Sequence, residues 1–214
     1  MKILITILAL IILVLSACQI QEISADTTIT ETTISNEEKY EYILDNLDSL
    51  LENVYKGYVR FETVMFEDGF TAFSIEYNNE YFLITAGHCL EYYNEEITKL
   101  EFENIITGEI IDDAKILYSE YRGSRDFAIL KSDKINSGLE VVKKYKKNTQ
   151  LYTLGFSNGN IKSYKESVIA GESGSPVIDL DMKVNSMVIA TYTDRTQNIT
   201  VPILTVISKI NDLN

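Results

Sequence analysis

The segment Ile84-Thr85-Ala86-Gly87-His88-Cys89 contains the single histidine of this 214-residue chain. No other unperturbed side chain gains or loses its charge near pH 7, so a reaction that needs an imidazole base has His88 as its only candidate. Two further segments follow along the chain, Asp126-Phe127-Ala128-Ile129-Leu130 and Gly171-Glu172-Ser173-Gly174-Ser175-Pro176. Together the three segments offer a base, a carboxylate and a hydroxyl nucleophile in the order His, Asp, Ser.

The three side chains fit one chemical arrangement. A serine hydroxyl is a weak nucleophile at its own pKa, so Ser173 needs a base such as His88 to take its proton as it attacks a carbonyl. Asp126, at the start of an apolar strand, is the carboxylate that orients the imidazole and stabilises its positive charge. Three other aspartates lie near enough in sequence to compete, although none directly precedes a comparable strand: Asp112, Asp113 and Asp133.

Glycines on both sides of Ser173 indicate a tight turn. Gly171 and Gly174 permit backbone conformations that other residues avoid. Such a turn aims the N–H groups of Gly171 and Ser173 into one small hole, where each donor can stabilise a developing oxyanion by roughly 3 to 4 kcal/mol.

The chain from about Gly57 onward is typical of a β barrel or sandwich, because short β-rich runs alternate with turn residues. Asn78-Asn79 predicts a hairpin turn, and the charged stretch 131–148 predicts a crossover between two β units. The predicted strands are Tyr58–Thr63, Phe70–Tyr77, Tyr81–Thr85, Lys99–Asn104, Glu109–Ile111, Ala114–Tyr118, Phe127–Lys131, Leu151–Phe156, Ser163–Ala170, Pro176–Asp179 and Ser186–Thr193.

Helices are predicted only at the two ends of this region. Ser35 with Glu38 forms a possible capping box, and apolar residues recur at helical spacing from Tyr40 to Val54, which predicts one amphipathic helix. Residues Pro202 to Leu213 predict a short closing helix.

At the three quoted segments the sequence resembles the chymotrypsin-like (trypsin-like) serine peptidases, especially compact bacterial members such as the streptogrisin and glutamyl endopeptidase groups. The resemblance runs from about Gly57 to the C-terminus. It implies an all-β fold of two packed six-stranded antiparallel β-barrels, at about 57–132 and 149–206, with the N-terminal amphipathic helix and the short C-terminal helix added.

The same resemblance implies a serine endopeptidase that forms an acyl-enzyme. His88, Asp126 and Ser173 are its catalytic residues, and Gly171 and Ser173 line its oxyanion hole. Neither a metal nor a cofactor is expected, and one histidine with one remaining thiol falls short of the usual zinc ligand set.

Two departures from the family pattern bear on activation and on the specificity pocket. Glu172 stands where many zymogen-activated members have an aspartate that pairs with a freshly cut N-terminal amine, and we expect an enzyme that needs no such cut. The spacing between Asp126 and Ser173 is short for the family. It predicts that the hairpin of the second barrel that normally walls the specificity pocket is shortened.

By resemblance, five residues bind the substrate. Ser167 and Val168 form the pocket floor, while Ala190, Thr191 and Tyr192 form a wall strand that pairs with the main chain of a protein or peptide. Glutamate-specific relatives use a histidine in this wall, and the single histidine here is already assigned. A trypsin-like preference would need an acidic residue in the pocket, and the sequence offers no obvious one. The residue at which the enzyme cleaves is therefore left open.

Composition and charge exclude one class of partner. The formal net charge is −13, with 32 acidic and 19 basic residues. Such a surface repels phosphate backbones, so no nucleic-acid partner is expected. The oligomeric state is left open.

The N-terminus predicts export and lipid attachment. Residues 1–17 form an apolar signal peptide, too short for a spanning helix. Leu15-Ser16-Ala17-Cys18 resembles the bacterial lipobox, which implies lipidation of Cys18 and a cell-membrane location facing the extracytoplasmic side. Residues 18–34 predict a flexible tether and 35–214 the peptidase domain. An uncleaved anchor or a plain secretory signal is the alternative.

With Cys18 lipidated, Cys89 is the one thiol left, so no intrachain disulfide is expected. Cys89 itself is predicted to be a small buried residue beside the base.

A second class of function stays open: a catalytically silent surface lipoprotein that uses the peptidase fold as a binding or adhesion module. The complete set of three reactive side chains argues against it. The shortened second barrel argues for it.

Overall fold

The computed structural model describes residues 35–61, 69–121, 125–155, 161–163, 169, 171–191 and 198–213. The elements, in chain order, are helices α1 (Asn36–Asp45) and α2 (Leu47–Leu51), strands β1 (Val54–Phe61), β2 (Phe70–Tyr77) and β3 (Glu80–Thr85), a 3₁₀ turn (Gly87–Leu90), strands β4 (Thr98–Asn104), β5 (Ile110–Ile111), β6 (Lys115–Glu120), β7 (Phe127–Lys131), β8 (Leu151–Leu154), β9 (Ile161–Ser163), β10 (Pro176–Asp179), β11 (Val184–Thr191) and β12 (Asn198–Pro202), and helix α3 (Ile203–Leu213).

The strands form two antiparallel sheets. Seven lie in the order β5-β4-β1-β2-β3-β7-β6, and five lie in the order β12-β11-β10-β8-β9. A mostly β fold with few helices is thereby confirmed. The described strands divide seven and five, so the expected pair of six-stranded barrels is not confirmed. Most of the predicted run Ser163–Ala170 lies outside the described residues.

The central strands of the first sheet are buried on both faces. Alternate residues of β2, β3 and β7 enter two separate apolar clusters, which explains why these strands read as nearly continuous apolar runs. The cluster inside the first sheet includes Phe70, Ala72, Leu83, Ala128 and Leu130. The cluster shared with the helices and the second sheet includes Phe73, Ile75, Ile84, Phe127 and Ile129.

The predicted hairpin between β2 and β3 is confirmed. Asn78 and Asn79 both have positive φ, at 54° and 62°. Two successive left-handed residues are the signature of the turn whose twist matches that of antiparallel strands, and asparagine tolerates this conformation better than most residues.

The N-terminal capping box is confirmed, but the single long helix is wrong. Ser35 N–H donates to Glu38 Oε2 (2.8 Å) and Glu38 N–H donates to Ser35 Oγ (3.2 Å). The helix then breaks at Asn46, whose side-chain amide donates to the carbonyl of Tyr42 (2.8 Å) and whose backbone has φ −107° and ψ 11°. An asparagine that bonds the backbone of the preceding turn competes with helix continuation.

A short extended segment, residues 139–142, joins the two sheets through main-chain hydrogen bonds. Leu139 exchanges bonds with β2, donating to Ser74 O (2.9 Å) and accepting from Glu76 N (3.1 Å). Val142 N–H donates to Val184 O (3.0 Å), and Val184 N–H donates to Glu140 O (2.8 Å). The predicted crossover is confirmed, and it is itself part of the joint between the sheets.

Helix α3 confirms the predicted closing helix. It buries Ile203, Val206, Ile207 and Ile210 against the shared core. No helix within the described ranges has the length and apolar character needed to cross a membrane.

Candidate active site

His88 lies in the 3₁₀ turn that follows β3. The turn packs tightly against β6, since a Cβ built on Gly87 would lie 2.0 Å from the carbonyl oxygen of Glu120. Strand β7 pairs with β3, with Thr85 opposite Ala128. Because the strands are antiparallel, this register brings Asp126, two residues before Ala128, to the level of the His88 turn.

Asp126 holds His88 at two points. The backbone N–H of His88 donates to Asp126 Oδ1 (2.8 Å), and the ring Nδ1 bonds Asp126 Oδ2 (2.8 Å). The His88 side chain is 36 % exposed and that of Asp126 is 16 % exposed. With Nδ1 donating to the carboxylate, Nε2 is the nitrogen left to accept a proton.

The hydrogen bond that Asp126 accepts from the imidazole raises the pKa of His88 well above its ordinary value of 6.5, and the thiol of Cys89 acts in the same direction. Partial burial of the ring lowers the pKa and opposes both effects. Cys89 is a free cysteine beside the imidazole, as expected, but it is partly exposed and not fully buried.

The carboxylates of two of the three competing aspartates have other partners. Asp112 pairs with Lys134 (2.6 Å), while Asp113 accepts from the hydroxyl of Ser132 and from Asp133 N. Among the described residues, Asp126 is the aspartate that bonds His88.

Ser173 lies in a tight turn between two glycines with positive φ, Gly171 and Gly174, each at 90°. The turn is fixed to both sheets by its backbone. Ser173 O accepts from Thr71 N (2.9 Å) in β2, and Gly174 N–H donates to Val188 O (2.8 Å) in β11. The Ser173 hydroxyl donates to the carbonyl of Ile189 (3.2 Å).

We expect Gly174→Ala to be strongly destabilising. A Cβ there would meet Thr71 O at 1.9 Å and Thr85 Oγ1 at 2.6 Å, at a φ that alanine avoids. The free energy of unfolding, measured by urea denaturation, should fall by more than about 2 kcal/mol. Gly108→Ala is the matched control, because φ is +70° and nothing lies within 4 Å of the new Cβ. An equal loss in both variants would contradict the role of the close approach.

Two buried threonines connect the Ser173 turn to the His88 turn. Thr85 Oγ1 donates to Thr71 O (2.7 Å), and Thr71 Oγ1 donates to the carbonyl of Gly171 (2.8 Å). Thr85 is three residues before His88, so His88 and Ser173 are carried by neighbouring, hydrogen-bonded segments. The described hydrogen bonds do not include one between Ser173 Oγ and His88, since the hydroxyl is bonded to Ile189.

The two predicted oxyanion donors are backbone N–H groups of described residues. No hydrogen bond between described residues uses the N–H of Gly171 or of Ser173. The bond from Thr71 to the Gly171 carbonyl fixes the peptide that follows Gly171. Two N–H groups that flank Glu172 and have no partner among the described residues, beside a hydroxyl, are an arrangement that can stabilise an oxyanion.

The substrate-binding predictions are only partly covered by the described residues. Ala190 and Thr191 lie in β11, and Ala190 is partly exposed. Ser167, Val168, Tyr192 and the lipidation candidate Cys18 lie outside the described residues. Among the described residues, no cluster of three or more histidine, cysteine, aspartate or glutamate side chains could hold a metal ion.

Sequence reasoning missed Thr71, Thr85 and Ile189. The threonines read as ordinary β-formers, and the Ile189 contact uses a carbonyl that every residue has. The one available signal was a hydroxyl within strands otherwise buried on both faces: Thr71 and Thr85 are each 0 % exposed.

No protein-family model matches the sequence, and no curated protein sequence does. Solved structures do match. The active form of the Rv3671c protease from M. tuberculosis has a TM-score of 0.63 at 16 % identity, covering 81 % of this chain and 86 % of that chain. Its inactive form has a TM-score of 0.59 at 16 % identity, covering 79 % and 93 %.

A further structure, Deg5, has a TM-score of 0.57 at 15 % identity, covering 79 % of this chain and 92 % of that chain. At these identities the likeness is one of fold. The chain has the fold of trypsin-like serine protease domains.

Proposed function

We propose that this chain is a serine endopeptidase that cleaves peptide bonds through Ser173, His88 and Asp126. The observation that carries the proposal is the two-point contact between Asp126 and His88, with both the ring Nδ1 and the backbone N–H at 2.8 Å from the carboxylate. A carboxylate held on the far side of a lone imidazole selects the tautomer that a general base needs. The protease fold supports the same reading, as do the N–H groups of Gly171 and Ser173, which form no hydrogen bond with another described residue.

In the proposed reaction, Ser173 Oγ attacks the carbonyl carbon of the scissile bond and its proton passes to His88 Nε2. Negative charge moves to the carbonyl oxygen, where the N–H groups of Gly171 and Ser173 stabilise it. Collapse of this intermediate breaks the C–N bond, and the imidazolium gives its proton to the leaving amine. Water then hydrolyses the Ser173 ester by the same route.

The substrate main chain would bind along β11 by strand addition. In the structure, Ile189 O accepts a hydrogen bond from the Ser173 hydroxyl. We infer that a substrate N–H takes over this carbonyl, which frees the hydroxyl to turn toward His88. Hydrogen bonds of this kind commonly tighten only in the enzyme–substrate complex.

A fluorophosphonate probe on the purified full chain tests the function. We expect stoichiometric phosphonylation, with the modified residue identified by mass spectrometry as Ser173. A folded preparation that no probe labels, and that cleaves no member of a peptide library, would refute the proposal. That outcome would favour the silent binding module.

We also propose that the enzyme is anchored to the extracytoplasmic side of the cell membrane through lipid on Cys18. One acyl-bearing residue followed by a tether leaves the domain free to meet protein substrates near the membrane. Cys18→Ser should move the protein from the membrane to the soluble fraction after cell fractionation. Retention of the variant in the membrane would mean that the apolar segment 3–15 itself holds the chain.

A further inference from the structure

The loop before Ser173 is closed on itself by Glu172. The backbone N–H of Glu172 donates to the carbonyl of Ile169 (3.1 Å), and the N–H of Ile169 donates to Glu172 Oε2 (2.8 Å). These two opposed bonds join the same pair of residues, and we call them the Glu172 clasp. Gly171, which carries one of the two candidate oxyanion donors, lies inside this ring.

The Glu172 carboxylate is fully enclosed by protein. The residue is 0 % exposed, and a Cβ built on Gly155 would lie only 3.0 Å from its Oε1 and 3.1 Å from its Cγ. A carboxylate in such a place is costly unless it is hydrogen-bonded, and a bond from a backbone N–H to a charged oxygen is among the stronger ones. The carboxylate and the loop therefore hold each other in place.

A glutamate has the reach for this contact, and the same chain shows the geometry elsewhere. Glu38 bonds the N–H of Ser35, three residues earlier, at 2.8 Å. Glu172 bonds the N–H of Ile169, also three residues earlier, at 2.8 Å. This is the back-reach of a capping box, for which glutamate and glutamine are the usual residues.

We propose that Glu172 is a positioning residue whose clasp with Ile169 holds Gly171 and Ser173 in the conformation that presents their N–H groups. The use of those groups rests on the proposed peptidase function. Oε2 is bonded to an N–H inside the loop, where the aspartate of zymogen-activated relatives uses a freshly cut N-terminal amine. We therefore expect the donors to be positioned in the uncut chain.

The test compares Glu172→Met with Asp179→Leu in the purified full chain. Both carboxylates are buried and accept backbone N–H groups, but Asp179 bonds Asp181 N (2.9 Å) and Lys183 N (3.1 Å) in the β10–β11 turn. Hydrogen exchange of residues 169–175 reports the loop, and the rate constant of phosphonylation by a fluorophosphonate reports the oxyanion donors.

We expect Glu172→Met to accelerate amide exchange in the loop at least about tenfold and to lower the phosphonylation rate constant by about 100-fold. Glu172→Gln, which keeps an acceptor oxygen, should stay within about fivefold of wild type. Asp179→Leu should lower the melting temperature without changing either loop readout. Where Glu172→Met fails to fold, Glu172→Asp serves, because it shortens the side chain by one methylene and should weaken the bond to Ile169 N.

Unchanged exchange and labelling in the folded Glu172 variant would overturn the proposal. So would a chain that becomes reactive only after its N-terminus is cut, because the clasp predicts equal labelling with or without an N-terminal tag. A loop that loosens in Glu172→Met, in a protein that no phosphonate labels, would support the clasp and refute the peptidase function. The positioning role of Glu172 and the peptidase function can therefore be refuted independently of each other.

Discussion

Ser173→Ala should lower kcat/KM for peptide hydrolysis by about 10⁶-fold, to the residual rate that binding and the oxyanion donors alone supply. The reason is chemical, since alanine offers no oxygen to form the ester. The fold should persist, because the turn is held by backbone bonds from Thr71 and to Val188 that the substitution leaves intact. Steady-state hydrolysis of a peptide found by library profiling provides the measurement.

The matched control is Ser175→Ala, two residues away. Ser175 is also buried, at 0 % exposure, and its hydroxyl has no hydrogen-bond partner among the described residues. Its removal should leave kcat/KM within about threefold, since no interaction is lost. If Ser173→Ala and Ser175→Ala behaved alike, Ser173 could not be the nucleophile.

Asp126→Asn should lower kcat/KM by about 10⁴-fold and also move its pH dependence. His88 must be neutral to accept a proton, so the rate rises with pH as the imidazole deprotonates. Asp126 raises the pKa of His88, which places this rise above the ordinary imidazole pKa of 6.5. Asparagine removes most of that effect, and the midpoint of the residual rate should shift to lower pH.

The measurement is kcat/KM between pH 5 and pH 10.5 for wild type and Asp126→Asn. Cys89→Ala is the comparison variant, because the thiol contributes less to the raised pKa than the carboxylate does. It should shift the midpoint slightly in the same direction with little loss of rate. An identical midpoint in wild type and Asp126→Asn would show that the titrating group is not His88.

The residues of the site that could be predicted from sequence are those whose type or sequence context is rare in this chain. A single histidine leaves no choice of imidazole, and a serine between two glycines has few structural uses. Asp126 needed an argument from the strand that follows it. The structure supports that argument through register, because the pairing of β3 with β7 carries Asp126 to His88.

The parts that could not be predicted depend on how distant segments meet. The contact of Thr71 with the Gly171 carbonyl requires the Ser173 turn to lie against the start of β2, and nothing local to either segment specifies this. The partner of Glu172 was equally hidden, because a family aspartate at this place suggested an amine and not a backbone N–H.

The fold shows the same division. Local chemistry gave the Asn78-Asn79 hairpin and the capping box at Ser35, since each depends on residues within a few positions. The break at Asn46 was missed because apolar spacing continued through it. The strand count of each sheet depends on long-range pairing, which periodicity does not encode.

The segment 139–142 has a consequence for how freely this sequence can vary. His88 follows β3 and Asp126 precedes β7 of the first sheet, whereas Ser173 precedes β10 of the second, so the proposed reaction depends on how the two sheets are aligned. The main-chain bonds of residues 139–142 contribute to this alignment and can be made by any residue with a backbone N–H, whereas the side chains of Leu139 and Val142 are also buried in the shared core. Leu139→Pro and Val142→Pro are the exceptions, because proline has no N–H to donate to Ser74 O or to Val184 O.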